Sequence, residues 1–266
     1  MSFSIEGKTA IVTGAANGIG LAIARHFASK GANVMFADMD EARLAKECGE
    51  RDETDNMRYF AGDLREKLTL ANLLSATLDA FDRVDILVNG SRQVIETDPF
   101  SMDDDSVEMM LQQNLMTAMR LSQLVARRMI KQGENQEDGQ IGAIVNLSSI
   151  AARRTHPQLM GYSLACAALD QMTRSMAVAY APERIRVNAL AFGSVMSSSL
   201  KSTLKDHRDY RSDIEEHTPL GRIAAPEELS EAVQFLCSDS AKFLTGQIMT
   251  VDGGRTLLDP VNAPAH

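Results

Sequence analysis

The stretch Thr13-Gly14-Ala15-Ala16-Asn17-Gly18-Ile19-Gly20 follows the apolar run Thr9-Ala10-Ile11-Val12 and leads into a segment of helical period. A strand, a glycine-rich turn and a helix start can hold a phosphate. Residues without a Cβ let the backbone come close, and the first helical N–H groups have no partner inside the helix. Gly14, Gly18 and Gly20, with Asn17 and Ile19 beside them, are therefore candidate dinucleotide contacts. Their spacing is Gly-x-x-x-Gly-x-Gly rather than the commoner Gly-x-Gly-x-x-Gly, so an ordinary glycine-rich turn between strand and helix is the alternative. Asp38 ends the next apolar run, Asn33 to Asp38, 18 positions after Gly20. A carboxylate there can accept both hydroxyls of an adenosine ribose and would repel a 2′-phosphate. Ala15, Ala16, Asn17 and Met39 offer no cation to hold such a phosphate, so NAD is expected over NADP. The competing role for Asp38 is to cap a helix beginning near Asp40. A third candidate is Ile144-Val145-Asn146-Leu147-Ser148-Ser149, a strand that delivers two serines at its C-terminal end, the edge where open α/β sheets bind ligands.

These residues need a scaffold of alternating strands and helices. Short β-rich runs near 8–13, 33–38, 57–62, 84–89, 141–148, 184–191 and 247–251 alternate with longer segments of helical period. Such alternation implies βαβ units and a mainly parallel, doubly wound sheet of Rossmann type covered on both faces. At 266 residues and 44% apolar composition the chain has the size of one α/β domain, expected over 1–266. Asp63, after the third strand, is expected near the adenine, or else as the cap of a helix starting after Leu64. Residues 104 to 132 read as one long helix, with Val107, Met110, Leu111, Leu115, Leu121, Leu124 and Val125 at apolar positions. Asn114 lies inside it, where asparagine competes for backbone partners and signals a function or a bend. The many methionines of this helix read as core and interface packing.

The fourth strand, Val84 to Asn89, runs into Gly90-Ser91-Arg92, and Tyr162 follows Ser149 by 13 residues at the start of a helix. With the glycine turn, these features make the chain similar to the short-chain dehydrogenase/reductase family, and in particular to its 3-oxoacyl reductase-like members. The resemblance extends through Thr218-Pro219-Leu220-Gly221-Arg222 and Thr245 to Gly254 and so covers nearly the whole chain. It implies that Ser149 holds a substrate oxygen, that Tyr162 passes its proton during hydride transfer, and that Asn114 completes the catalytic set. It also implies cofactor contacts from Asp63, Leu64, Asn89, Gly90, Tyr162, Gly193, Val195 and Ser197, a substrate cover from residues 194 to 216, and a homotetramer or dimer built through the long helices and the C-terminal strand.

Several positions depart from the family's pattern. Its Tyr-x-x-x-Lys motif reads here Tyr162-Ser163-Leu164-Ala165-Cys166. The lysine would sit on the same helix face and lower a tyrosine pKa of about 10 toward working pH, which a thiol does not do. The family's Asn-Asn-Ala-Gly strand end keeps Asn89 but has Gly90, Ser91 and Arg92 at its other three positions, and Phe192-Gly193, followed by Ser197, stands where the family has Pro-Gly and then a threonine. An inward-turned Arg92 could stabilise tyrosinate from the opposite wall; the alternatives are that it points to solvent or binds an acidic substrate group.

A net charge of −9 and an acidic isoelectric point near 5.1 argue against nucleic acid or an anionic membrane as partner, and leave a small molecule. Cys48, Cys166 and Cys237 lack Cys-x-x-Cys spacing, no metal site is expected, and no export signal precedes the first strand, which together suggest the cytoplasm. Two functions remain open at this stage. One is an NAD-dependent oxidoreductase interconverting a secondary alcohol and a ketone; the other is a degenerate member that binds NAD and serves as a binding or scaffolding subunit.

Overall fold

Each apolar run becomes a strand in the computed structural model, which describes residues 3–49 and 55–259; both ends of the expected 1–266 unit lie outside them. The strands are β1 (Thr9–Thr13), β2 (Asn33–Asp38), β3 (Met57–Ala61), β4 (Ile86–Asn89), β5 (Gly142–Ser149), β6 (Ile185–Phe192) and β7 (Ile248–Val251). They pair in parallel in the order β3-β2-β1-β4-β5-β6-β7. The helices are α1 (Gly18–Ser29), α2 (Glu41–Cys48), α3 (Lys67–Phe81), α4 (Ser106–Met110), α5 (Thr117–Gln132), α6 (Met160–Tyr180), α7 (Ser198–Asp206), α8 (Asp209–Glu216) and α9 (Glu227–Cys237).

A strand covered on both faces must be apolar on both, and every residue of β1, β5 and β6 is buried. Alternation then sorts the side chains. Ala10 and Val12 join Ile23 and Phe27 of α1 and Val233 of α9, whereas Ile11 joins Leu73 of α3 and Val125 and Met129 of α5. Each such side chain contributes about 1.5–3 kcal/mol by leaving water. The chain winds outward from β1 through β2 to β3, then returns to place β4 on the other side of β1. The crevice outside the C-terminal ends of β1 and β4 is thus the topological switch point of the sheet, where open α/β folds take ligands.

Two expectations change in detail. Regular pairing of the fourth strand starts at Ile86 rather than Val84, because the Asp85 carboxylate accepts the Thr9 N–H at 2.8 Å in place of a ladder carbonyl. The long helix expected over 104–132 is α4, a π-helical stretch at Leu111–Met116, and α5, and the asparagine that suggested a bend lies within the π stretch. Wider turns of this kind collect at functional sites because they re-aim a side chain. The serine-rich segment after β6 forms α7 and α8, and Ser197 caps α7 by accepting the Leu200 N–H at 3.3 Å.

Candidate active site

A cavity of about 540 Å³ opens at the switch point, a volume in the range of small-molecule sites. Of the expected cofactor contacts, Gly14, Asn17, Gly18, Ile19, Gly20, Asp38, Asp63, Leu64, Gly90 and Ser197 line it. The turn fits a phosphate-bearing ligand. Gly14 has φ +71°, and a Cβ on it would lie 2.6 Å from the Gly90 carbonyl, so the ends of β1 and β4 approach only because that atom is missing. Asn17 is the N-cap of α1 and makes no side-chain capping bond, while Gly18, Ile19 and Gly20, the first helical residues, border the cavity. A helix start left in this way suits an anion.

Asp38 is held beside the turn. Its carboxylate accepts the Ala16 N–H at 3.1 Å and the Met39 N–H at 2.7 Å. The cap of α2 is Asp40, which accepts the Arg43 N–H at 3.1 Å, so the capping alternative for Asp38 is set aside. Asp63 does not cap a helix either. α3 begins at Lys67, and the Asp63 carboxylate turns onto Arg65, with the closest contact at 2.6 Å. That charge-assisted bond lowers the Asp63 pKa below the ordinary carboxylate value.

Other expected residues stand elsewhere. The Asn89 side chain points into the core, where its amide donates to Ser122 Oγ at 3.0 Å and Asn146 Oδ1 at 2.8 Å, and Asn146 in turn donates to Thr173. Its residue type matches the family while its side chain ties β4 to β5 and α5. Gly193 is needed for packing, since a Cβ would lie 2.9 Å from Asp252 Cβ, and Val195 is buried in a bridge to Ala224. Asn114 turns its side-chain amide onto the Gln93 backbone, where Oδ1 accepts the N–H and Nδ2 donates to the carbonyl, both at 2.8 Å, and Nδ2 also reaches Met110 Sδ at 3.6 Å.

Ser149 and Tyr162 are brought together at the ends of β5 and α6, and both are buried and outside the cavity wall. Ser149 Oγ accepts the Ala151 N–H at 3.1 Å. Arg92 bridges the two places: it lines the cavity, and its Nη1 donates to the Tyr162 hydroxyl at 3.0 Å. Its guanidinium carbon also lies 4.5 Å from the centroid of the Phe192 ring, a cation–π contact. The solvent-facing alternative for Arg92 is thereby excluded. Burial raises the Tyr162 pKa above the ordinary phenol value, opposed by the Arg92 charge and the Ser149 hydroxyl. The Cys166 thiol, one turn along α6, is pushed up to about 11 by burial and stays neutral at working pH.

The family model described as "Enoyl-(Acyl carrier protein) reductase" matches residues 14–256. The 7alpha-hydroxysteroid dehydrogenase of Escherichia coli K12 is 32% identical over 251 residues, which cover 94% of each chain. The chain belongs to the short-chain dehydrogenase/reductase family. The L-rhamnose 1-dehydrogenase (NAD(P)(+)) of Sphingomonas is another relative, 32% identical over 94% of this chain and 96% of its own. A solved 7α-hydroxysteroid dehydrogenase complexed with NADH and 7-oxo glycochenodeoxycholic acid superposes with a TM-score of 0.86 at 31% identity, covering 95% of both chains. The protein is an oxidoreductase of this family that uses a nicotinamide cofactor, and relatives that are dehydrogenases disfavour the scaffolding alternative.

Several residues in or behind the cavity wall had no role in the sequence reading. Thr13 Oγ1 accepts the N–H groups of Gly90 and Ser91 at 2.9 and 3.1 Å, stitching the end of β1 to the segment after β4. Gln113, which donates to Ser91 Oγ at 3.0 Å, and Leu147 also line the cavity. Arg65 is a cation in the wall where none was expected. No motif marks Arg65 or Gln113; Thr13 and Leu147 lie within stretches the sequence singled out, at the ends of β1 and β5. Among the described residues, no His, Cys, Asp and Glu group forms a metal site, and no helix is long and apolar enough to cross a membrane.

Proposed function

We propose that the protein interconverts a secondary alcohol and a ketone with NAD(H) in preference to NADP(H), using Ser149 to hold the substrate oxygen and Tyr162 to move its proton. The observation that carries this reading is the line of contacts from the glycine turn, through the cavity, to Arg92 and the Tyr162 hydroxyl. Residues 14 to 20 would hold the cofactor diphosphate and Asp38 its adenosine ribose; a bound nicotinamide supplies the hydride acceptor or donor. Asp38 supports the preference for NAD, and Arg65, the cation in the wall, is already engaged by Asp63 through Nε and Nη2. Asn114 acts by fixing the Gln93 backbone.

A homotetramer is the assembly we favour, since Leu164, Val178 and Met109 leave apolar side chains exposed along α4 and α6. Cys48, Cys166 and Cys237 are buried and none is in a disulfide, which suits a reducing compartment such as the cytoplasm. Calorimetric titration with NAD, NADH, NADP and NADPH tests the cofactor reading, and equal affinities for NAD and NADP would overturn it. Turnover of a panel of secondary alcohols, starting from a 7α-hydroxysteroid and L-rhamnose, tests the reaction, and light scattering tests the assembly.

A further inference from the structure

A buried phenol that exchanges a proton near neutral pH needs a positive charge close to its oxygen, because burial by itself favours the neutral form. On α6 the neighbour one turn away is the neutral Cys166 thiol, which supplies no such charge. The charge at Tyr162 comes from across the sheet edge. Arg92 Nη1 donates to the phenol oxygen at 3.0 Å, and the guanidinium face rests on Phe192, whose position at the end of β6 pairs with Ser149 at the end of β5.

The segment that carries Arg92 is fixed on both sides. Before it, the N–H groups of Gly90 and Ser91 are bound by Thr13 Oγ1; after it, both backbone groups of Gln93 are bound by the Asn114 side chain. Arg92, Phe192 and Cys166, three of the departures from the family's pattern, therefore converge on one phenol.

We propose that Arg92, seated on Phe192 and clamped through Thr13 and Asn114, is the catalytic cation of Tyr162, delivered from the end of β4 instead of from α6. This rests on the reading that Tyr162 handles the substrate proton. In the oxidation direction the phenolate oxygen of Tyr162 would take the alcohol O–H proton as the C=O bond forms, and a bound oxidised nicotinamide would supply the acceptor for the C–H hydride. In reduction the phenol returns that proton. Arg92 keeps its own protons throughout, since a guanidinium stays charged at any working pH. The groups facing the phenol are Arg92, Cys166 and the Ser149 hydroxyl, and Asp170 acts on Cys166 from the next turn of α6. Of the charged forms among them, only the guanidinium is present at neutral pH beside the phenol, so the acid–base profile should follow Tyr162 itself.

The test compares the full-length protein with Arg92→Met, Cys166→Lys and the double variant, with Tyr162→Phe as a spectroscopic blank. The chain has 4 tyrosines, and the ultraviolet phenolate difference between each protein and its Tyr162→Phe counterpart isolates one of them. Arg92→Met should move the Tyr162 titration upward by about one pH unit or more. It should also lower kcat at neutral pH by roughly tenfold or more, with little change in KM. Cys166→Lys should bring no gain in the parent but should recover roughly tenfold in the Arg92→Met background, where the charge is missing. If Arg92→Met does not fold, Phe192→Leu removes the seat and keeps the cation, and a smaller upward shift is expected. An unchanged Tyr162 titration in a folded, NADH-binding Arg92→Met or Phe192→Leu protein would overturn the proposal, as would an equal gain from Cys166→Lys in both backgrounds. Absence of turnover on every alcohol, with the titration shift present, would sink the reading that Tyr162 moves the proton of a secondary alcohol and leave the Arg92–Tyr162 pairing standing.

Discussion

The glycine-turn end of the crevice, at β1 and β2, where we place the cofactor, and the Tyr162 end, at the tips of β4, β5 and β6, where we place proton transfer, obey different physical rules. At the first, contact is made by backbone and depends on missing atoms: a Cβ on Gly14 would run into Gly90, and one on Gly20 would collide with the Gly14 carbonyl. Steric repulsion rises so steeply that no other residue substitutes, and the family's pattern is kept position by position. At the second, the need is for charge near an oxygen. Coulomb attraction falls slowly with distance and carries no directional demand, so a cation from β4 can serve where α6 carries a thiol. Requirements of shape are met at fixed positions; requirements of charge migrate.

The largest expected effect probes the proton-transfer end. Tyr162→Phe keeps the ring and removes only the hydroxyl, so turnover should fall on the order of 10²- to 10⁴-fold. NADH affinity should stay within about twofold in the same protein, because the ring packing is retained. A variant as active as the parent would move the chemistry away from this end. At the cofactor end, Gly20→Val forces the helix start away from the turn, and calorimetry should show NADH affinity reduced on the order of 100-fold with the fold retained by circular dichroism. Unchanged affinity would mean that the turn is not where the cofactor phosphates bind. Smaller again is Asp38→Ala, which removes the repulsion of a 2′-phosphate and should narrow the NAD over NADP preference by about tenfold. No change in that ratio would assign the selectivity to other residues.

The smallest effect compares a buried thiol from each side of the molecule. Burial raises Cys166 from 9.0 to about 11 and Cys237, in the α9 layer behind the cofactor turn, from 9.0 to about 12. A pKa raised in the folded state means that, between the two values, the unfolded chain has lost a proton the folded chain still holds. The corresponding stability is complete below about pH 9 and declines above it. Melting temperatures measured between pH 8 and 11 should therefore fall less steeply in Cys237→Val than in the parent, and Cys166→Val should flatten the decline less. Parallel slopes in all three proteins would show that other groups govern alkaline unfolding.

The strands were legible because a parallel strand buried on both faces must be an apolar run bounded by turn residues. The ends of β1, β2, β5 and β6 fall within a residue of their sequence expectation. The glycine turn and Asp38 were legible for the same reason that makes them indispensable: their function depends on local backbone and a strand end. Asn89 and Asn114 were legible as special residues but their side-chain partners were not, because an amide can bind cofactor, core or backbone equally well and the choice depends on what lies opposite. For Asn89 that was Asn146 and Ser122; for Asn114 it was Gln93.

The amino-acid sequence by itself therefore determined the doubly wound sheet, the family and the place of the crevice, since periodicity, turn chemistry and glycine positions act over a few neighbouring residues. Only the tertiary structure decided where Arg92 points. Positions 92, 162 and 192 come from three different elements, and their meeting at 3.0 Å and 4.5 Å follows from the parallel order β4-β5-β6 and from the clamps at Thr13 and Asn114. Contact between residues 70 positions apart is a property of packing, and electrostatics acts through that space with no regard for separation along the chain.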